Sequence, residues 1–137
     1  MKNRKNRKES LLQEKLNNFE LTCLPIIVKG IGGRVKGKSK PITNLQIQKA
    51  MKKKGYEGLT DARVRKIISY IRNNNLLPLL CANSNGYFVA ENLTEFDKYL
   101  ETFEKRVNTQ IKTLNELKHQ RDAYVKGNNK GWFRLLY

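Results

Sequence analysis

Residues 42–90 read ITNLQIQKAMKKKGYEGLTDARVRKIISYIRNNNLLPLLCANSNGYFVA, and the fold turns on this stretch. Thr43 and Gln46 have the spacing of a capping box, and Ile42 and Ile47 that of a hydrophobic staple, so a helix is predicted from Thr43. Ile47, Ala50 and Met51 supply its buried stripe, and Gly55 suits its C-terminal cap. Thr60 is the expected N-cap of a second helix, with Asp61 in the first turn, where the helix dipole favours a carboxylate. Leu59 and Val64 repeat the staple spacing, and Val64, Ile67, Ile68 and Ile71 share one face. Leu76–Ala82 and Tyr87–Ala90 then read as two strands joined at Asn85-Gly86, a strong hairpin signal. Pro78 fits a strand start or an edge.

Working outward, residues 1–10 are a basic arm with nothing to bury, expected to be disordered. Leu11, Leu12, Leu16 and Phe19 have helical spacing. Pro25 interrupts the pattern, and the β-branched run Ile26-Ile27-Val28 leaves 21–28 open between helix and strand. Residues 29–41 are loop by composition, with four glycines and Pro41 closing it. Beyond the hairpin, Asn92 and Glu95 form another box-like cap on a helix running to about Val125, before Gly127. Its apolar residues Phe96, Leu100, Phe103, Val107, Ile111, Leu114 and Leu117 average close to a coiled-coil period. That seam fits either the first helix of the same chain or a partner. The terminal residues 127–137 include Trp132, Phe133, Leu135, Leu136 and Tyr137, too apolar for an idle tail.

The formal charge of the chain is +16. It is unevenly placed: residues 41–75 carry eight basic against two acidic groups, whereas 76–101 carry one against four. Positive charge therefore gathers on the arm, the glycine-rich loop and the two capped helices, a distribution suited to neutralising phosphates. High net charge also serves solubility, but solubility does not require one sign to dominate. No apolar run is long enough to span a membrane, and the basic N-terminus lacks the apolar segment of a secretory signal. Cys23 and Cys81 are expected to be reduced thiols, which places the chain in the cytoplasm.

On the second capped helix, the side away from the isoleucines holds Ala62, Lys66, Ser69 and Asn73, with Arg65 beside them and Arg63 and Arg72 flanking the buried stripe. Long donors on that side are what reading base edges in a major groove requires. Thr60, Arg63, Arg65, Lys66, Ser69, Arg72 and Asn73 are accordingly the candidate groove residues. Lys52, Lys53 and Lys54 suit both a helix C-terminus and a phosphate. Asn83, Ser84 and Asn85 at the hairpin tip, and Arg34, Lys36 and Lys38 in the loop, are candidate backbone contacts. A solvated basic face and an ordinary tight turn would look the same in sequence.

Enzyme chemistry finds little to stand on. Gly32–Ser39 matches the phosphate-binding pattern G-x-x-x-x-G-K-S, but a true P-loop needs a helix to begin at its Gly-Lys-Ser. Pro41 and the cap at Thr43 put that start later, so nucleotide binding is a remote alternative. His119 is the only histidine, and with two distant cysteines it makes no zinc site. Glu91, Glu95, Asp97 and Glu101 cluster where dipole complementarity explains them. No catalytic residue, metal or cofactor is expected.

The run TDARVRKIISYIRNNNLLPLLCANSNGYFVA resembles the winged-helix segment of small bacteriophage and prophage DNA-binding proteins. Arg65 in the middle of the recognition helix, Arg72 near its end, Pro78 opening the wing and Gly86-Tyr87 closing it carry the likeness, and a long helix with an acidic start follows. The resemblance covers about residues 42–118 and implies DNA binding and a viral or prophage origin, hence host cytoplasm. The expected fold is mainly α with a small β-hairpin, a winged helix-turn-helix plus a long C-terminal helix. Its expected divisions are 1–10, 11–41, 42–92, 93–126 and 127–137. The expected function is non-enzymatic binding of double-stranded DNA as a regulator or DNA-management factor, with residues 60–74 in the major groove. A homodimer through 93–126 is expected. A protein-interaction adaptor for replication or packaging, using the winged helix and 131–137, is the alternative.

Overall fold

A computed structural model describes residues 15–127. The first helix, α1 (Asn18–Gly32), is capped by Asn17: its side chain accepts from the Glu20 N–H at 2.8 Å, and the Glu20 carboxylate accepts from the Asn17 N–H at 2.9 Å. The undecided segment 21–28 is thus helical, and the helix runs on through Gly30 and Gly32, shortening the expected loop. Pro25 is tolerated on the exposed side of the helix, where the carbonyl it leaves without a partner need not be buried. Leu16, Glu20, Cys23, Ile27 and Ile31 face the interior at helical spacing. Leu11, Leu12, the basic arm and the aromatic tail lie outside the described residues.

Helix α2 (Asn44–Lys53) carries the expected Thr43–Gln46 capping box. Ile47 and Met51 are buried, but Ala50 is exposed, so the stripe is narrower than its spacing implied. Gly55, at φ +92°, ends the helix, with the N–H of Tyr56 reaching back to the Met51 carbonyl at 3.0 Å. Helix α3 (Asp61–Asn73) starts at its Thr60 cap and buries Val64, Ile67, Ile68 and Ile71. Asn75, at φ +54°, ends it in the same way, the Leu76 N–H donating to the Ile71 carbonyl at 3.0 Å.

The hairpin is shorter than the apolar runs suggested: β1 is Leu80–Asn83 and β2 is Gly86–Val89. Leu79, at φ +64°, cannot continue an extended strand back toward Leu76. The strands are antiparallel, with Leu80 opposite Val89 and Asn83 opposite Gly86. The loop residues are therefore Ser84 and Asn85 rather than Asn85 and Gly86, and the Asn83 side chain closes the turn by accepting from the Asn85 N–H at 2.8 Å. Ile42 joins the other edge of β2 by exchanging two 2.8 Å hydrogen bonds with Tyr87. The order is helix, single bridge, helix, helix, hairpin.

One core unites these parts. Leu16, Cys23, Ile27 and Ile31 pack with Ile47, Met51, Val64, Ile67, Ile71, Leu80 and Val89, so α1 shares the core of residues 42–92 instead of standing apart. Cys23 and Cys81 are free and buried, and burial pushes the Cys81 thiol up to about 11. The last helix, α4 (Leu93–Val125), starts with the Asn92 side chain accepting from the Glu95 N–H at 2.9 Å. From Asp97 onward the chain forms a unit of its own, and α4 buries none of its residues. Among the described residues no helix is long and apolar enough to cross a membrane.

Candidate nucleic-acid interface

Because the four buried residues of α3 fix its rotation, the opposite side chains are fixed too. Ala62, Arg65, Ser69 and Asn73 are exposed, and Asn73 Nδ2 donates to Ser69 Oγ at 3.4 Å across one turn. The Tyr87 hydroxyl donates to Asn44 Oδ1 at 2.6 Å, tying β2 to the first residue of α2. Burial, with the charge of Asp61, raises the pKa of that phenol, while the charges of Arg65 and Arg72 pull the other way, so both guanidiniums lie within electrostatic reach of β2. Asp61, one turn before Arg65, is hydrogen-bonded by the Gln48 amide of α2. Lys52, Lys53 and Lys54 are exposed at the C-terminal end of α2, and Asn83, Ser84 and Asn85 are exposed at the hairpin tip.

Three expected groove residues are already committed to holding the fold. Lys66 pairs with Glu20 of α1 at 3.0 Å, so a helix distant in sequence brings a second acid to α3, beside its own Asp61. Glu20 is 1% exposed, and a carboxylate that deep requires a counter-charge. Arg63 donates to the Gly58 carbonyl at 2.6 Å, and its guanidinium lies 5.7 Å from the Phe19 ring centre. Thr60 spends its hydroxyl on the cap, accepting from the Arg63 N–H at 3.2 Å. Arg72 is only partly exposed. Of the α3 candidates, Arg65, Ser69 and Asn73 remain outward.

Burial alone would raise the Glu20 carboxyl. The Asn17 N–H, the Lys66 ammonium and the charge of Arg63 outweigh it and hold the group below its ordinary value. A depressed carboxyl stabilises fully above its unfolded pKa, near 4.3, and the contribution is lost as pH falls through the lower folded value. Glu20→Gln is expected to cost about 2 kcal/mol at neutral pH, less than a fully enclosed pair because Lys66 can turn to water. Thermal melts check this: the gap between wild type and variant should close as pH falls below about 4.

The basic loop sits elsewhere. The Gly37 N–H donates to the Val89 carbonyl at 2.9 Å, at the end of β2 away from the tip. A side chain at Gly37 would meet Glu91 at 3.5 Å. Arg34, Lys36 and Lys38 are exposed, but the loop is held to the hairpin base and not to α3. Among the described residues no strand precedes Gly32–Ser39, which begins at the last residue of α1, and no helix begins at Gly37-Lys38-Ser39; α2 starts at Asn44. The residues spelling a P-loop therefore lack its backbone geometry. Among the described residues no group of His, Cys, Asp and Glu comes together as a metal site would need.

Glu20 and Tyr87 organise this surface, and neither role is evident from the sequence. Asn17 and Glu20 carry a capping-box signal, whereas the pairing of Glu20 with Lys66, 46 residues away, leaves none. No protein-family model matches the chain, and neither curated proteins nor solved structures yield a match.

Proposed function

We propose that the chain is a non-enzymatic winged-helix protein that binds double-stranded DNA, acting as a regulator or another DNA-management factor. The observation that carries this is the outward side of α3, where Arg65, Ser69 and Asn73 stand exposed while its isoleucines close the core. An α-helix fits the major groove, Arg pairs with guanine and Asn with adenine. Helix, bridge, helix, helix and hairpin follow in the order such modules use, which supports the reading. In this arrangement Lys52, Lys53 and Lys54 meet phosphates, and the Asn83–Asn85 tip follows the backbone or the minor groove. Arg34, Lys36 and Lys38 have a secondary part, since they flank the acidic end of the hairpin. The test is a titration of the full chain on duplex and single-stranded DNA at several salt concentrations. Duplex affinity should exceed single-strand affinity and fall with salt at a logarithmic slope of about −4, from four or so neutralised phosphates. Absent or salt-independent duplex binding defeats the reading.

A further inference from the structure

The apolar seam of α4 is a surface in search of an occupant. Leu100, Val107, Ile111, Leu114 and Leu117 are 37–55% exposed, although the helix presents them along one side. Numbered as a heptad with Leu100 at the first apolar position, the pattern extends at both ends. The first positions are Leu93, Leu100, Val107, Leu114 and Arg121; the fourth are Phe96, Phe103, Gln110, Leu117 and Tyr124. The side opposite the seam is cationic or titratable throughout: Lys98, Lys105, Lys112, His119 and Lys126. The repeat fills the helix, and 33 residues exceed the three to four heptads that mark a coiled coil.

We infer that this seam is closed by a second copy of the same chain in an antiparallel two-stranded coiled coil. The two polar seam residues and the flanking charges favour that direction. A parallel pair would set Arg121 against Arg121 and Gln110 against Gln110, since equivalent positions face each other. Its flanking pairs would be Tyr99 with Glu104, Arg106 with Ile111 and Thr113 with Lys118, none of them of opposite charge. An antiparallel pair with the helices fully overlapped sets Leu100 against Leu117, Phe103 against Leu114, Val107 against Gln110 and Leu93 against Tyr124. Arg121 then stands opposite position 96 and not opposite a second Arg121. The flanking position brings Asp97 of each copy to Lys118 of the other, twice over by symmetry, and opposes no like charges. Charge and seam complementarity thus agree on one register. In that dimer the two starts of α4 stand about 50 Å apart.

The dimer does not depend on what the basic surface binds, and its test contains no DNA. Three variants of the full chain are made: Leu100→Cys, Leu117→Cys and the double substitution, all at exposed positions, while the native Cys23 and Cys81 stay buried. They are equilibrated in a glutathione redox buffer and run on a non-reducing gel, and the wild-type mass is measured by sedimentation. The expected result is a wild-type dimer, with covalent dimer in the double variant and background levels in both single variants. Self-linking of either single variant indicates parallel helices and overturns the assignment. So does a wild-type monomer, whose seam another part of the same chain would cover, or a trimer or tetramer.

Discussion

Gly86→Ala is expected to destabilise the fold by about 3 kcal/mol or more, lowering the midpoint of thermal unfolding by roughly 15 °C. Gly86 has φ +129°, a conformation side chains rarely adopt, and a Cβ there would lie 2.4 Å from the Ile42 carbonyl oxygen and 3.2 Å from the Thr43 nitrogen. Both obstacles are backbone, so no rotamer change relieves them. Ile42 would have to withdraw from Tyr87, breaking two hydrogen bonds of 2.8 Å, and would carry with it Thr43, whose side chain caps α2. The estimate joins backbone strain of about 1–3 kcal/mol with bridge hydrogen bonds of about 1 kcal/mol each. Gly30→Ala is the control. Gly30 lies within α1, and a Cβ added there would meet nothing within 4 Å, so alanine should be neutral or stabilise by up to ~1 kcal/mol. Chemical denaturation of the two variants side by side decides the matter; equal stabilities would mean that the bridge contributes nothing.

The sequence is most legible where local chemistry decides the outcome. The caps at Thr43 and Thr60, the stop at Gly55 and the buried face Val64, Ile67, Ile68 and Ile71 all depend on residues within a turn or two of each other. The start and end of α4 are of the same kind. Legibility fails where long-range partners intervene. Pro25 reads as a breaker, yet the buried positions of α1 on either side of it hold the helix together. Leu76–Leu79 has the composition of a strand, but the left-handed Asn75 and Leu79 turn it into a connection. On the candidate surface, Arg65, Ser69 and Asn73 are recoverable from helical phase alone. Lys66 and Arg63 are not, because the groups that engage them, Glu20 and Phe19, belong to a helix more than 40 residues away.

That distinction gives the binding experiment its sharpest form. Arg65→Ala is expected to weaken binding to duplex DNA by about 1–3 kcal/mol, roughly five- to 150-fold, and to leave the melting temperature unchanged. Arg65 is exposed, it points away from the core, and its nearest structural role is an electrostatic influence on the Tyr87 phenol. Lys66→Ala separates function from fold: it should lower stability by stranding the Glu20 carboxylate while changing DNA affinity by less than Arg65→Ala does. Arg65→Lys refines the comparison. It keeps the charge that a phosphate would feel but loses the forked donor that grips a guanine edge, so nonspecific affinity should survive while preference among sequences declines. Fluorescence anisotropy on a panel of duplexes of different sequence, with folding monitored by circular dichroism, reads all three. If Lys66→Ala weakens DNA binding more than Arg65→Ala at equal folded fraction, the assignment of the outward side of α3 to the groove is wrong.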